Sequence, residues 1–371
     1  MKPWQQSKPR RRILTLDGGG IRGVFSLEVL ARMEALLRVE YGRPDLVLAD
    51  HFDLIAGTST GAIIAAFLSW GEPVARVQAL YVEESARMFV RAPFWDLRAG
   101  LFESTRLSAA LREFFVETQA PGELTARPAE LGTERLRTLL LLVMRNASTG
   151  SAWPITNNPH AKFNYPALPD CNLRLPLWQI VRASTAAPVY FPAEHVRLGP
   201  TEFSFIDGAI TAYNNPAAIA YLTATLPSYR IGWPTGTDRL HLVSIGTGQT
   251  RTRVNEALRR WWSLLSYAAI VPAGLMDSTA REQDLFCRSV GQCIFGAPID
   301  SELGDLMGAL TPPGEKRFTY VRYNHEFSRE EVLAAEQQYG GRFDLANVRL
   351  IRFLQETGRR YAGEVRIEHL Q

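Results

Sequence analysis

Over roughly the first 250 residues, short apolar runs alternate with longer stretches whose apolar positions recur every three or four residues. Residues 13–16 read as a strand leading into Gly18, Gly19 and Gly20. From residue 24 to 41, Leu27, Leu30, Met33 (or Glu34), Leu37 and Tyr41 fall at helical spacing. Residues 52–56 predict a second strand, followed by Gly57-Thr58-Ser59-Thr60-Gly61 and a helix of small residues over 62–69. Residues 74–88 and 107–115 have helical periodicity, the latter opened by Ser104 or Thr105 as N-cap. The run 139–144 predicts a strand buried on both faces, 177–184 a helix and 203–206 a strand. Asn215 followed by Pro216 opens a helix over 216–226. Residues 240–245 predict a further strand, closed by Gly246-Thr247-Gly248. Residues 227–238, rich in Pro and Gly, read as an exposed loop.

Such alternation predicts an α/β/α three-layer sandwich with a mostly parallel central sheet. The expected organisation is a catalytic region over 12–250 and a mainly helical extension over 251–371 packed on it, with no strands after about Thr250. The composition, 46% hydrophobic and 21% charged, excludes a disordered or low-complexity chain. A net charge of +3 is too mild to predict a DNA partner. Three cysteines indicate no disulfide framework, and the start of the chain carries no long apolar segment of the secretory kind. The expected setting is therefore the cytoplasm.

Two turns and one strand end carry the candidate chemistry. Gly57-Thr58-Ser59-Thr60-Gly61, between a strand and a helix, fits G-x-S-x-G, the nucleophile elbow. The serine sits at the apex of a strained turn, the glycines remove colliding Cβ atoms, and the helix N-terminus favours a developing alkoxide. The loop Asp17-Gly18-Gly19-Gly20-Ile21-Arg22-Gly23 offers bare N–H groups for an oxyanion, with Arg22 adding positive charge. Gly18, Gly20 and Gly23 also fit the dinucleotide fingerprint G-x-G-x-x-G. The acid that fingerprint needs falls at Glu40, at a helix end rather than a strand end, so a dinucleotide-binding oxidoreductase is the remote alternative. None of the six histidines stands in a turn suited to a triad. Asp207, in Phe205-Ile206-Asp207-Gly208-Ala209 at a strand end, is the better base candidate, although Asp-Gly also simply starts turns.

Together and in this order, the glycine loop, the Ser59 turn and Asp207-Gly208-Ala209 resemble the patatin-like phospholipase family. Ser184-Thr185-Ala186-Ala187-Pro188-Val189-Tyr190-Phe191-Pro192, Asn214-Asn215-Pro216 and Ser244-Ile245-Gly246-Thr247-Gly248 are similar to bacterial members. The resemblance covers residues 12–250 well and the rest loosely. It departs in having Ala209 where glycine is frequent and Thr60 where a smaller residue is common, which crowds the acyl pocket slightly. The resemblance implies a Ser59–Asp207 dyad, an oxyanion hole around Gly18, Gly19, Gly20 and Arg22, an acyl-enzyme, and no metal or other cofactor. A free aspartate, with a pKa of about 3.9, is a poor base at neutral pH, so the dyad needs a raised pKa or a short hydrogen bond.

The implied substrates are membrane phospholipids, met by peripheral association with the inner membrane, and Trp261 and Trp262 beside Arg259 and Arg260 suit either a bilayer interface or a core. Some bacterial family members are antiviral effectors switched on by cyclic oligonucleotides. This chain resembles them in size and in its C-terminal extension, which implies such an activator, met by Arg251, Arg253, Arg259 and Arg260 or the C-terminal helices, with homo-oligomerisation on activation. An ungated housekeeping lipid esterase is the alternative.

Overall fold

The computed structural model describes residues 8–88, 104–118, 126–188, 190–250, 264–309, 311 and 314–371. In chain order the strands are β1 (Arg11–Leu16), β2 (Leu54–Thr58), β3 (Val116–Thr118), β4 (Ala126–Pro128), β5 (Leu139–Asn146), β6 (Ser151–Thr156) and β7 (Glu194–Leu198). They continue with β8 (Thr201–Asp207), β9 (Leu240–Ile245), β10 (Gln249–Thr250), β11 (Gln292–Phe295), β12 (Thr319–Tyr323) and β13 (Glu326–Phe327). Nine of these form one sheet in the order β11-β12-β9-β1-β2-β5-β8-β7, with β6 also paired to β5. From β11 to β5 every pairing is parallel, while β6 and β8 run antiparallel to β5, and β7 antiparallel to β8.

Period-two alternation sorts the strand side chains into two cores. Leu14, Leu16, Ile55, Leu140 and Leu142 pack on one face under the helices Gly23–Glu40, Thr60–Trp70 and Ile351–Tyr361. Ile13, Leu54, Ala56, Leu139 and Leu141 pack on the other face under the helix Ala217–Thr225 and Cys287 of the helix Leu264–Val290. Helices on both faces make three layers. They also explain why 139–144 is an unbroken apolar run: a central parallel strand is buried on both sides.

The second strand begins at Leu54 rather than residue 52, because a helical turn, Leu48–His51, takes Phe52 as its C-cap. The helix opened by Asn215 starts at Ala217, whose N–H donates to Asn215 Oδ1. The larger difference lies after residue 250. The C-terminal third is mainly helical but also supplies β11 and β12, and β12 lies parallel against β9. β12 reads Thr-Tyr-Val-Arg-Tyr and is buried throughout, with a charged residue inside it that hid the strand from a hydropathy pattern. Among the described residues no helix is long and apolar enough to cross a membrane.

Candidate active site

β1 and β2 are adjacent parallel strands, so the loops that follow them share one edge of the sheet. After β2 the chain turns at Ser59 into the helix Thr60–Trp70, with Ser59 at φ 55° and ψ −123°. It is one of three non-glycine residues with positive φ among the described residues, a conformation costing about 1–3 kcal/mol. The tightness of the turn dictates its glycines. A Cβ on Gly57 would lie 2.1 Å from Gly61 O, and one on Gly61 would lie 2.2 Å from Leu16 O. Ser59 N–H donates to Ser184 Oγ (3.0 Å), whose hydroxyl donates to Val143 O (2.5 Å). The Ser59 hydroxyl itself donates to Asp207 Oδ2 at 2.6 Å.

Strand register brings these two residues together. β2 ends with Thr58 opposite Val143, but β5 continues to Asn146. On its other edge β5 is paired with β6 from Leu141 onward. The edge left vacant beyond β2 is taken by β8, which runs antiparallel and ends with Asp207 opposite Met144. β2 and β8 thus approach end to end along β5, and Ser59 and Asp207 meet at the junction. Asp207 does end its strand, as expected, but that strand is antiparallel to its neighbour β5. Asp207 Oδ1 accepts the Ala209 N–H at 2.7 Å. Burial pushes the Asp207 carboxyl up to about 7, against the opposing pull of the Ser59 hydroxyl, the Ala209 N–H and the Arg182 guanidinium.

The glycine loop is held from the C-terminal third. Arg322 of β12 forms a two-pronged ion pair with Asp17 (2.9 and 2.5 Å) and also donates to Ser244 Oγ. Thr247 Oγ1 donates to Gly18 O, and a Cβ on Gly19 would lie 2.1 Å from that Thr247 oxygen. Gly20 has φ +55°, with Leu345 O packed against it. The expected oxyanion donors divide. Gly18 N–H is taken by Asn214 O at 3.1 Å, whereas the N–H groups of Gly19 and Gly20 meet no acceptor among the described residues and both glycines line the cavity over Ser59. Arg22 does not line that cavity; the carboxylates acting on it are those of Asp277, Asp17 and Asp344.

That cavity has a volume of about 650 Å³ and reaches both Ser59 and Asp207. Its wall is mostly apolar, with Ile63, Leu107, Phe191, Leu275 and Met276 contributing. No histidine lines it. His51 and His241 are buried elsewhere against the carbonyls of Leu370 and His369, and burial lowers both to about 3. Glu40 ends the helix Gly23–Glu40, not a strand. Ser184, Asn214, Arg322 and Thr247 support the site without having been assigned roles from sequence. Ser184, Asn214 and Thr247 belong to the short stretches that carried the resemblance; Arg322 left no sequence signal. Arg251, Arg253, Arg259, Arg260, Trp261 and Trp262 lie outside the described residues.

A mostly parallel, doubly covered sheet, with a strained serine at a strand-to-helix turn and a buried carboxylate on its hydroxyl, has the architecture of an α/β serine hydrolase. The family model of patatin-like phospholipases matches residues 14–221, and the chain belongs to that family. The chain is 32% identical over 218 residues to the cGAMP-activated phospholipase of Escherichia coli (strain TW11681), covering 58% of this chain and 56% of that protein. It is 29% identical over 278 residues to patatin-like protein 1 of Arabidopsis thaliana, covering 69% and 63%. Against patatin-like protein 1 of Oryza sativa subsp. indica it is 30% identical over 356 residues, covering 84% and 82%. The chain thus spans less than two thirds of the length of the first two relatives.

Proposed function

We propose that the chain hydrolyses ester bonds of membrane phospholipids, with the chemistry housed in residues 12–250. The observation that carries this reading is the 2.6 Å hydrogen bond from Ser59 to Asp207, a carboxylate whose burial raises it to about 7. Near neutral pH, ionised Asp207 takes the hydroxyl proton as Ser59 Oγ attacks the ester carbonyl. The N–H groups of Gly19 and Gly20 and the N-terminus of the helix Thr60–Trp70 meet the oxyanion. Asp207 returns the proton to the leaving alcohol, leaving an acyl group on Ser59. It then accepts a proton from the water that attacks the acyl-enzyme and returns it to Ser59 Oγ as the fatty acid leaves. The apolar cavity suits an acyl chain. The test is covalent labelling by a fluorophosphonate together with fatty-acid release from phospholipid vesicles. Both should vanish in Ser59→Ala. Labelling that persists in that variant refutes the nucleophile, and a labelled wild type that frees no fatty acid from any phospholipid, with or without cyclic di- and trinucleotides, refutes the substrate class.

We further propose that a cyclic oligonucleotide raises this activity and drives self-association, with the enzyme then acting peripherally at the membrane. The name of the Escherichia coli relative, a cGAMP-activated phospholipase, supports this; an ungated lipid esterase is the alternative. Moving an enzyme from 1% to 99% active requires the ligand to prefer the active form by about 5.5 kcal/mol. Vesicle hydrolysis with and without a panel of cyclic di- and trinucleotides decides between them. High activity unchanged by every ligand leaves the ungated esterase.

A further inference from the structure

Among the described residues lining the cavity over Ser59, Arg145 is the one cationic side chain. It is half-buried, and no hydrogen bond or ion pair engages it among the described residues. A guanidinium held in a mostly apolar cavity without a partner is poorly solvated and gains strongly from an anion. Its backbone is not free to move away: Arg145 lies within β5, paired to Ala152 on one side and Ile206 on the other.

Arg145 plays no evident part in tuning the dyad. Cross-strand partners share a face, so Met144 and Asp207 face one side and Arg145 the other. The charge that acts on Asp207 is that of Arg182, not Arg145. Cation and carboxylate therefore reach one cavity from opposite sides without neutralising each other. Along β5, Arg145 lies two residues beyond Val143, which is level with Thr58, and so about 7 Å past the end of β2 at ordinary strand rise. In a glycerophospholipid the sn-2 ester carbonyl and the phosphorus are joined by a short O–C–C–O bridge, so a phosphate and a reacting ester fit together in the one cavity that Ser59 and Arg145 line. The two outer oxygens of a phosphodiester match the fork of a guanidinium.

We infer that Arg145 holds the phosphodiester of the substrate while its ester carbonyl lies at Ser59, and so selects phosphate-bearing lipids over neutral esters. This deepens the lipid-ester reading above and rests on it. The step is binding alone and adds nothing to the acyl-transfer chemistry.

The experiment compares short-chain phosphatidylglycerol with diacylglycerol of the same acyl chains, measuring kcat/KM for each in the wild type, Arg145→Gln and Arg145→Lys. The ratio of the two constants should fall by about tenfold or more in Arg145→Gln, through KM for the phospholipid, and recover in part in Arg145→Lys. A ratio within about twofold of the wild type in Arg145→Gln overturns the inference. Fluorophosphonate labelling of Ser59 runs in parallel. A wild type that is neither labelled nor active on either lipid, with or without cyclic di- and trinucleotides, refutes the hydrolase reading itself, and the inference with it. A wild type that is labelled and active, with an insensitive ratio, refutes the role of Arg145 alone. A readout independent of the folding of the variants uses the wild type only: hexyl phosphate should slow Ser59 labelling at concentrations where hexanol does not, and equal effects of the two overturn the inference.

Discussion

Replacing Asp207 by asparagine separates two consequences of burying a carboxylate, and they have opposite signs. Asparagine keeps the shape and an acceptor for the Ala209 N–H but has no charge to bury and no basicity. In the wild type the folded-state value of about 7 stands above the ordinary carboxylate value of 3.8. A group raised on folding contributes stability that is complete below the unfolded value and is lost as pH rises through the folded one. About three pH units correspond to about 4 kcal/mol, more than half of it falling between pH 5 and pH 8. The wild type should therefore lose about 2–3 kcal/mol more than Asp207→Asn between those pH values, in urea unfolding followed by tryptophan fluorescence. Over the same range wild-type kcat/KM on a soluble ester should rise through an apparent pKa near 7, the ionised carboxylate being the base, while Asp207→Asn stays inactive throughout. If the two proteins lose stability in parallel, or if wild-type activity is flat from pH 5 to pH 8, Asp207 does not titrate in this window. The account of how an aspartate serves as base at neutral pH then fails.

Removing Arg322 as Arg322→Met strands the buried Asp17 carboxylate beneath the glycine loop; a loss of about 3–5 kcal/mol in unfolding free energy is expected, with activity falling as the loop shifts. Ser184→Ala leaves the Ser59 N–H without its acceptor and should cost about 1–3 kcal/mol, together with a drop in kcat for the folded variant, both read by denaturation and esterase assay. Single replacement of His160, His195 or His325 should leave most of the esterase activity, since none lines the cavity; a loss matching Ser59→Ala in a folded variant would replace the dyad by a triad.

The sequence alone determined the local features. The apolar periods along the first 250 residues give alternating strands and helices, and hence a covered, mostly parallel sheet, because burial on one or both faces dictates which positions must be apolar. The Ser59 turn was readable because its geometry excludes side chains at Gly57 and Gly61, a constraint felt within five residues of chain. Asp207 was nameable as a candidate but not as a partner. Its approach to Ser59 depends on β5 outrunning β2 and on β8 filling the vacated edge, and register of that kind is set by pairing between distant strands. The division of labour in the glycine loop was equally hidden, since whether an N–H is free depends on what packs above it: Asn214 O takes Gly18, and among the described residues nothing takes Gly19 or Gly20. β12 shows the limit most plainly. Its buried Arg322 makes the strand look polar, and only the fold supplies Asp17, 305 residues away in sequence, as the charge that permits an arginine there. Hydropathy is a property of each residue alone, whereas a buried charge is tolerated through its partner, and only the tertiary structure decides which partner that is.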